Sequence, residues 1–180
     1  MWNGSTTTFG AGGTRTYGSG GAAITCDHVD VIYVGGTGTF SVQIDSGTAV
    51  NVDTSGVAAG TLGFYSVTPT LGTHTCTVAT VSGTPKTVGP AMWDGSRAGH
   101  LPMSVAQGGI SLSLATTQAW TNYTAFLAHY LPDLITWEMK SGQWTQADLV
   151  KMLDAIQAGS PRADVLLLGG TPDSGGTASN

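Results

Sequence analysis

One stretch limits the fold of this chain more than any other. It runs Pro132-Asp133-Leu134-Ile135-Thr136-Trp137-Glu138, then a helix-patterned segment, then Pro161-Arg162-Ala163-Asp164-Val165-Leu166-Leu167-Leu168-Gly169-Gly170. The order reads as strand, helix, strand, with apolar runs suited to burial on both faces, the unit from which parallel α/β sheets are built. Thr145 is placed to cap the helix, with Asp148 three residues on at its electropositive end. Leu149, Met152, Leu153 and Ile156 recur at helical spacing, and Gly159 and Pro161 end the run. A crossover of that length makes the flanking strands parallel and the connection right-handed. The turn after the first strand, where such folds place their chemistry, is Met139-Lys140-Ser141-Gly142-Gln143-Trp144. It holds no carboxylate, histidine or asparagine.

The rest of the chain divides by pattern. Residues 1–21 are rich in Gly, Ser and Thr and read as an arm or linker. Residues 22–88 read as a jelly-roll-like antiparallel β-sandwich. Val29, Val31 and Tyr33 alternate around Asp30 and Ile32, and Phe40, Val42 and Ile44 alternate with Ser41, Gln43 and Asp45. The turn Asp45-Ser46-Gly47 follows, and turns recur at sandwich spacing. Residues 89–172 form the α/β part, where Trp120, Thr124, Leu127 and Leu131 mark a helix that Pro132 stops. Residues 173–180 read as a flexible tail.

Composition excludes some partners. Charged residues make up 9% of the chain and the net charge is -5, so no basic field is present to hold nucleic acid. No apolar run approaches the ~20 residues of a membrane helix, so membrane insertion is not expected. The start, Met1-Trp2-Asn3-Gly4, lacks the regions of a signal peptide. Cys26 and Cys76 are too few for a disulfide framework; one bridge or two buried thiols both fit.

Several short blocks together resemble the SGNH (GDSL-like) hydrolase family. They are Val105-Ala106-Gln107-Gly108-Gly109, Pro132-Asp133-Leu134-Ile135 and Pro161-Arg162-Ala163-Asp164-Val165-Leu166-Leu167. Thr39 to Asp45 and Leu71 to Val78 are similar to the β-sandwich inserted in some members, including ones on bacteriophage tails. The resemblance implies a partial flavodoxin-like SGNH-type parallel sheet (α/β) with an N-terminal antiparallel β-sandwich. It also implies a tail or fibre component, in the virion or outside the cell, that assembles with other tail subunits into an oligomer and touches host surface polysaccharide. The family's Gly-Asp-Ser block is absent. Trp93-Asp94-Gly95-Ser96 has its ingredients in another order. The family's glycine-x-asparagine loop falls near Lys140-Ser141-Gly142 without the asparagine, and its Asp-x-x-His block would lie beyond Asn180. The expectation is therefore binding or structure without hydrolysis in this chain. Its rivals are a fragment of an active esterase or deacetylase and a secreted cell-wall-binding protein.

The candidate chemistry is sparse. Ser96, His100 and Asp94 are the one close nucleophile–base–acid set, against the plainer reading of a polar linker. Gly108 and Gly109, with Gly142, could aim backbone amides at an anion or oxyanion. His28 and His74 would need a third ligand to hold a metal, which Asp27 or Asp30 could contribute, and satisfied or exposed histidines are the plainer reading. Trp144, Trp93 and Tyr65 suit stacking on sugar rings, whereas Trp120 and Trp137 read as core. No motif calls for a cofactor or a metal.

Overall fold

The computed structural model describes residues 7–8, 13–18, 24–96, 117–139 and 145–169. The chain divides into two compact units between Gly108 and Gly109.

The first unit is a β-sandwich. Its strands are β1 (Thr7–Thr8), β2 (Thr14–Tyr17), β3 (Ile24–Cys26), β4 (His28–Val34), β5 (Gly38–Ile44), β6 (Val50–Asp53), β7 (Leu62–Val67), β8 (Gly72–His74), β9 (Cys76–Gly83) and β10 (Lys86–Trp93). One sheet runs β1-β10-β4-β7 and the other β2-β9-β5-β6, while β3 pairs with β8. Every pairing in this unit is antiparallel. The first strand lies beside the last in one sheet and the second beside the ninth in the other, which is the wrapping order of a jelly roll.

Alternation explains the core. Val29, Val31 and Tyr33 from one sheet meet Phe40, Val42, Val52 and Val78 from the other, with Cys26 and Cys76 among them. Each fully buried apolar side chain of this size contributes about 1.5–3 kcal/mol. Phe40 and Val78 are wholly enclosed, and the ring of Tyr33 tilts against Phe40 with centroids 5.4 Å apart. The thiols of Cys26 and Cys76 are free and buried. Burial, then the neighbouring Cys26, pushes the Cys76 thiol up to about 12.

Two boundaries differ from the sequence reading. Thr14–Tyr17 is a strand, bonded to β9 from Thr14↔Ala79 to Tyr17↔Cys76, and Thr7–Thr8 pairs with β10. Part of the Gly/Thr-rich arm is therefore sheet, since distant partners supply a ladder that local composition does not signal. At the other end β10 continues past Val88 to Trp93, and Met92 packs against the sandwich core.

The second unit contains α1 (Thr117–Tyr130), β11 (Leu134–Met139), α2 (Gln146–Gly159) and β12 (Asp164–Gly169). β11 and β12 are parallel, in register from Leu134↔Asp164 to Met139↔Gly169. The expected cap is present: Asp148 N donates to Thr145 Oγ1 at 3.2 Å and Thr145 N to Asp148 Oδ2 at 3.0 Å. Gly159 closes the helix pair. A Cβ there would stand 2.7 Å from Leu127 Cβ and 2.7 Å from Thr124 O, so any side chain would force the helices apart.

Three details depart from the periodic reading. Leu131 is not helical; it turns left-handed at φ 44 and is exposed. Leu153 is exposed, because the close approach at Gly159 turns Met152, Ala155 and Ile156 inward instead. The apolar strands are not buried on both faces. Leu134, Leu166, Leu167 and Leu168 are 57%, 48%, 38% and 45% exposed, while Ile135 is buried. Two strands that pair only with each other among the described residues cannot cover their own faces.

Candidate functional site

The start of β4 and the end of β10 meet at one end of the sandwich. Register places Trp93 opposite His28, and Asp27 N donates to Trp93 O at 3.1 Å. Asp27 Oδ1 accepts from Gly95 N at 2.6 Å and lies 2.6 Å from His28 Nδ1. The imidazole stacks on the Trp93 indole, with centroids 5.1 Å apart and planes 22° from parallel. Gly95 lies beneath the ring: a Cβ there would be 2.6 Å from His28 Cε1. In the turn that follows, Asp94 Oδ1 accepts from Ser96 N at 3.0 Å and from Ser96 Oγ at 2.6 Å.

The electrostatics follow from these bonds. The Gly95 amide, then the His28 ring, holds the Asp27 carboxyl below its ordinary range, so it is ionised at neutral pH. A carboxylate against Nδ1 makes that nitrogen the donor, so the neutral ring carries its lone pair on Nε2. The His28 side chain is 41% exposed, which leaves the ring open to solvent. An oriented, accessible imidazole can hydrogen-bond a ligand or exchange a proton with it. Among the described residues, the Ser96 hydroxyl is not turned to this ring but donates to Asp94 within its own turn.

The remaining candidates scatter. Asp94 and Ser96 come together and Trp93 joins them, but His100 lies outside the described residues, as do Gly108, Gly109, Gly142 and Trp144. Tyr65 is half-buried and packs against the sandwich core. His74 belongs to a separate cluster, with Nδ1 2.7 Å from Asp45 Oδ2. Among the described residues, no group of three His, Cys, Asp or Glu side chains is gathered to hold a metal.

The second unit has an open groove of about 530 Å³ lined by Trp120, Thr121, Thr124, Lys151, Asp154 and Ala155. Trp120 and Trp137, read from sequence as core, are only half-buried. Their rings lie 6.5 Å apart, and Tyr123 meets Trp137 edge-on at 5.4 Å. Burial pushes the Tyr123 phenol up to about 12.

The sequence reading of Asp27 and His28, metal ligands or else satisfied or exposed groups, does not include their link to Gly95. The available signal was an Asp-His dipeptide at a strand start, opposite a Trp-Asp-Gly-Ser turn at a strand end.

No protein-family model matches the chain, and no curated protein matches it in sequence. Its structural neighbours include family two carbohydrate esterases. One, from Clostridium thermocellum in complex with cellohexaose, is 11% identical with a TM-score of 0.36, over 93% of this chain and 74% of that one. Another, from Cellvibrio japonicus, is 11% identical with a TM-score of 0.29, over 97% and 80%. A β-glucosidase from Kluyveromyces marxianus in complex with glucose is 12% identical with a TM-score of 0.30, over 86% of this chain and 18% of that one. At such scores the likeness assigns no residue a role.

Proposed function

We propose that the chain is a glycan-binding module of the kind a bacteriophage tail or fibre turns towards host surface polysaccharide, with a degenerate SGNH-like α/β part. The observation that carries the binding reading is the Asp27–His28–Trp93 cluster. It offers an accessible imidazole edge held at a fixed angle, an indole beside it, and the Asp94–Ser96 turn next in sequence. Polyhydroxyl ligands suit such a set: polar groups in one plane meet the hydroxyls, and an aromatic body meets the apolar C–H faces. The Ser96 hydroxyl donates to the Asp94 carboxylate of its own turn and not to the His28 imidazole, which supports binding over hydrolysis. The ligand's origin on a host surface, the virion or extracellular setting and the assembly with tail subunits rest on the sequence resemblance.

The test is retention of the purified chain on bacterial cell-wall and capsular polysaccharides. His28→Ala should reduce it without unfolding the chain; equal retention by both proteins, or none by either, removes the binding reading at this cluster. The esterase alternative is favoured by one observation, the carboxylate that orients His28. It requires the chain to hydrolyse p-nitrophenyl acetate and to lose that activity in Ser96→Ala.

A further inference from the structure

At the start of the β5–β6 turn, Asp45 takes a left-handed backbone conformation, φ 50. Its backbone N donates to Thr75 O at 2.9 Å, and its Oδ1 accepts from Thr75 N at 2.8 Å and from Thr75 Oγ1 at 3.2 Å. Its other oxygen lies 2.7 Å from His74 Nδ1, while His74 Nε2 lies 2.7 Å from Thr70 O. Both partners of the ring are pure acceptors. A neutral imidazole has one N–H and one lone pair, so it can satisfy only one of them and sets its lone pair against the other oxygen. Only the doubly protonated ring donates to both.

From this geometry we infer that His74 and Asp45 form a pH-operated staple, closed while the imidazole is protonated and opened by its deprotonation. The staple joins three pieces of chain: the Thr70 segment before β8, the β8–β9 junction at Thr75, and the turn after β5. Its target is well suited to local opening. β8 pairs with β3 over three residues, Ile24↔His74 to Cys26↔Gly72, and so short a two-stranded piece is marginal without added ties.

Among the described residues, the groups around the ring are few. Asp45 supplies the charge that acts on it. On β3, Ile24 is its cross-strand neighbour; Cys26 is held un-ionised first by burial and then by nearby carboxylates, Asp27 and Asp45 among them. On β9 the Cys76 thiol is likewise neutral, on β2 Tyr17 precedes Gly18, and a Cβ at Gly18 would lie 2.7 Å from His74 O. The hydrogen bond to Asp45, then that to Thr70 O, raises the His74 pKa above its ordinary value, against a smaller opposing effect of burial. The sign is that of a raised base: stabilisation is complete below the unfolded value of about 6.5 and is lost as pH rises through the folded value.

An NMR titration of the imidazole carbons and nitrogens tests this in the full chain, with amide exchange of Thr73 and Thr75 corrected for its intrinsic pH dependence. His74 should titrate above about 6.5, with protection falling through the same midpoint, by about tenfold for each unit of excess. Asp45→Asn should lower the midpoint. A wild-type midpoint at or below the ordinary value, or protection that ignores the transition, overturns the staple; the wild-type measurement decides even where the variant does not fold.

Discussion

The Asp27 carboxylate and the Gly95 amide, 68 residues apart in sequence, meet at 2.6 Å. That bond fixes the turn after β10 beneath the His28 ring. A side chain at Gly95 would strike the imidazole at Cε1, so Gly95→Ala should displace the ring while leaving the sandwich core untouched. The expected result is polysaccharide retention reduced as in His28→Ala, with a thermal midpoint close to that of the parent. Unchanged retention would separate ring position from binding.

Acid should weaken the first unit through its carboxylates. Asp27 is held low mainly by the Gly95 amide, Asp45 mainly by His74, and Asp53 mainly by the Ser55 amide. For groups lowered on folding, the stabilisation is present above the unfolded value of about 3.9 and disappears as pH falls through the folded values. Urea midpoints should therefore be steady from pH 6 down to about pH 4.5 and drop below that. Asp27→Asn should make the acid limb shallower.

The two thiols offer a direct probe of the core. Both are fully enclosed, and the Cys76 pKa of about 12 leaves almost no thiolate at pH 8. Iodoacetamide should label neither in the folded chain and both in denaturant. Fast labelling under native conditions would mean that the β3–β9 region opens readily.

How far these features could be read in advance depended on how far apart the cooperating residues lie. The Thr145–Asp148 cap spans three residues and was legible, as was the strand–helix–strand order around it. The alternation of Val29, Val31 and Tyr33 was legible because period two needs no partner to be seen. Thr14–Tyr17 was not: it carries few apolar residues and becomes a strand through Cys76–Ala79, about sixty positions away. The Asp27–His28–Gly95 cluster was hidden for the same reason. Leu153 was misplaced because a periodic stripe does not say which of its edges a neighbouring helix will cover.

The cap itself can be measured. Thr145→Ala removes the acceptor for Asp148 N and the hydroxyl that bonds Asp148 Oδ2 at 2.7 Å. N-cap losses of this kind cost about 1 kcal/mol. Urea unfolding followed by helical circular dichroism should show a loss of that size, and Thr145→Ser should retain most of the stability.

The exposed leucines of the second unit make the last prediction. Leu166, Leu167 and Leu168 stand in a row on a strand that pairs only with β11 among the described residues, and β12 carries no lysine, proline or bulge, the devices by which sheets discourage edge pairing. Apolar side chains exposed on both faces of such an edge attract other apolar surface. The chain should therefore bind a hydrophobic dye and self-associate as its concentration rises. Leu166→Lys with Leu168→Lys should reduce both effects, with a stability change within about 0.5 kcal/mol, as for other exposed positions. A loss of several kcal/mol would instead mean that these side chains are covered in solution, and that the parallel pair is part of a larger sheet.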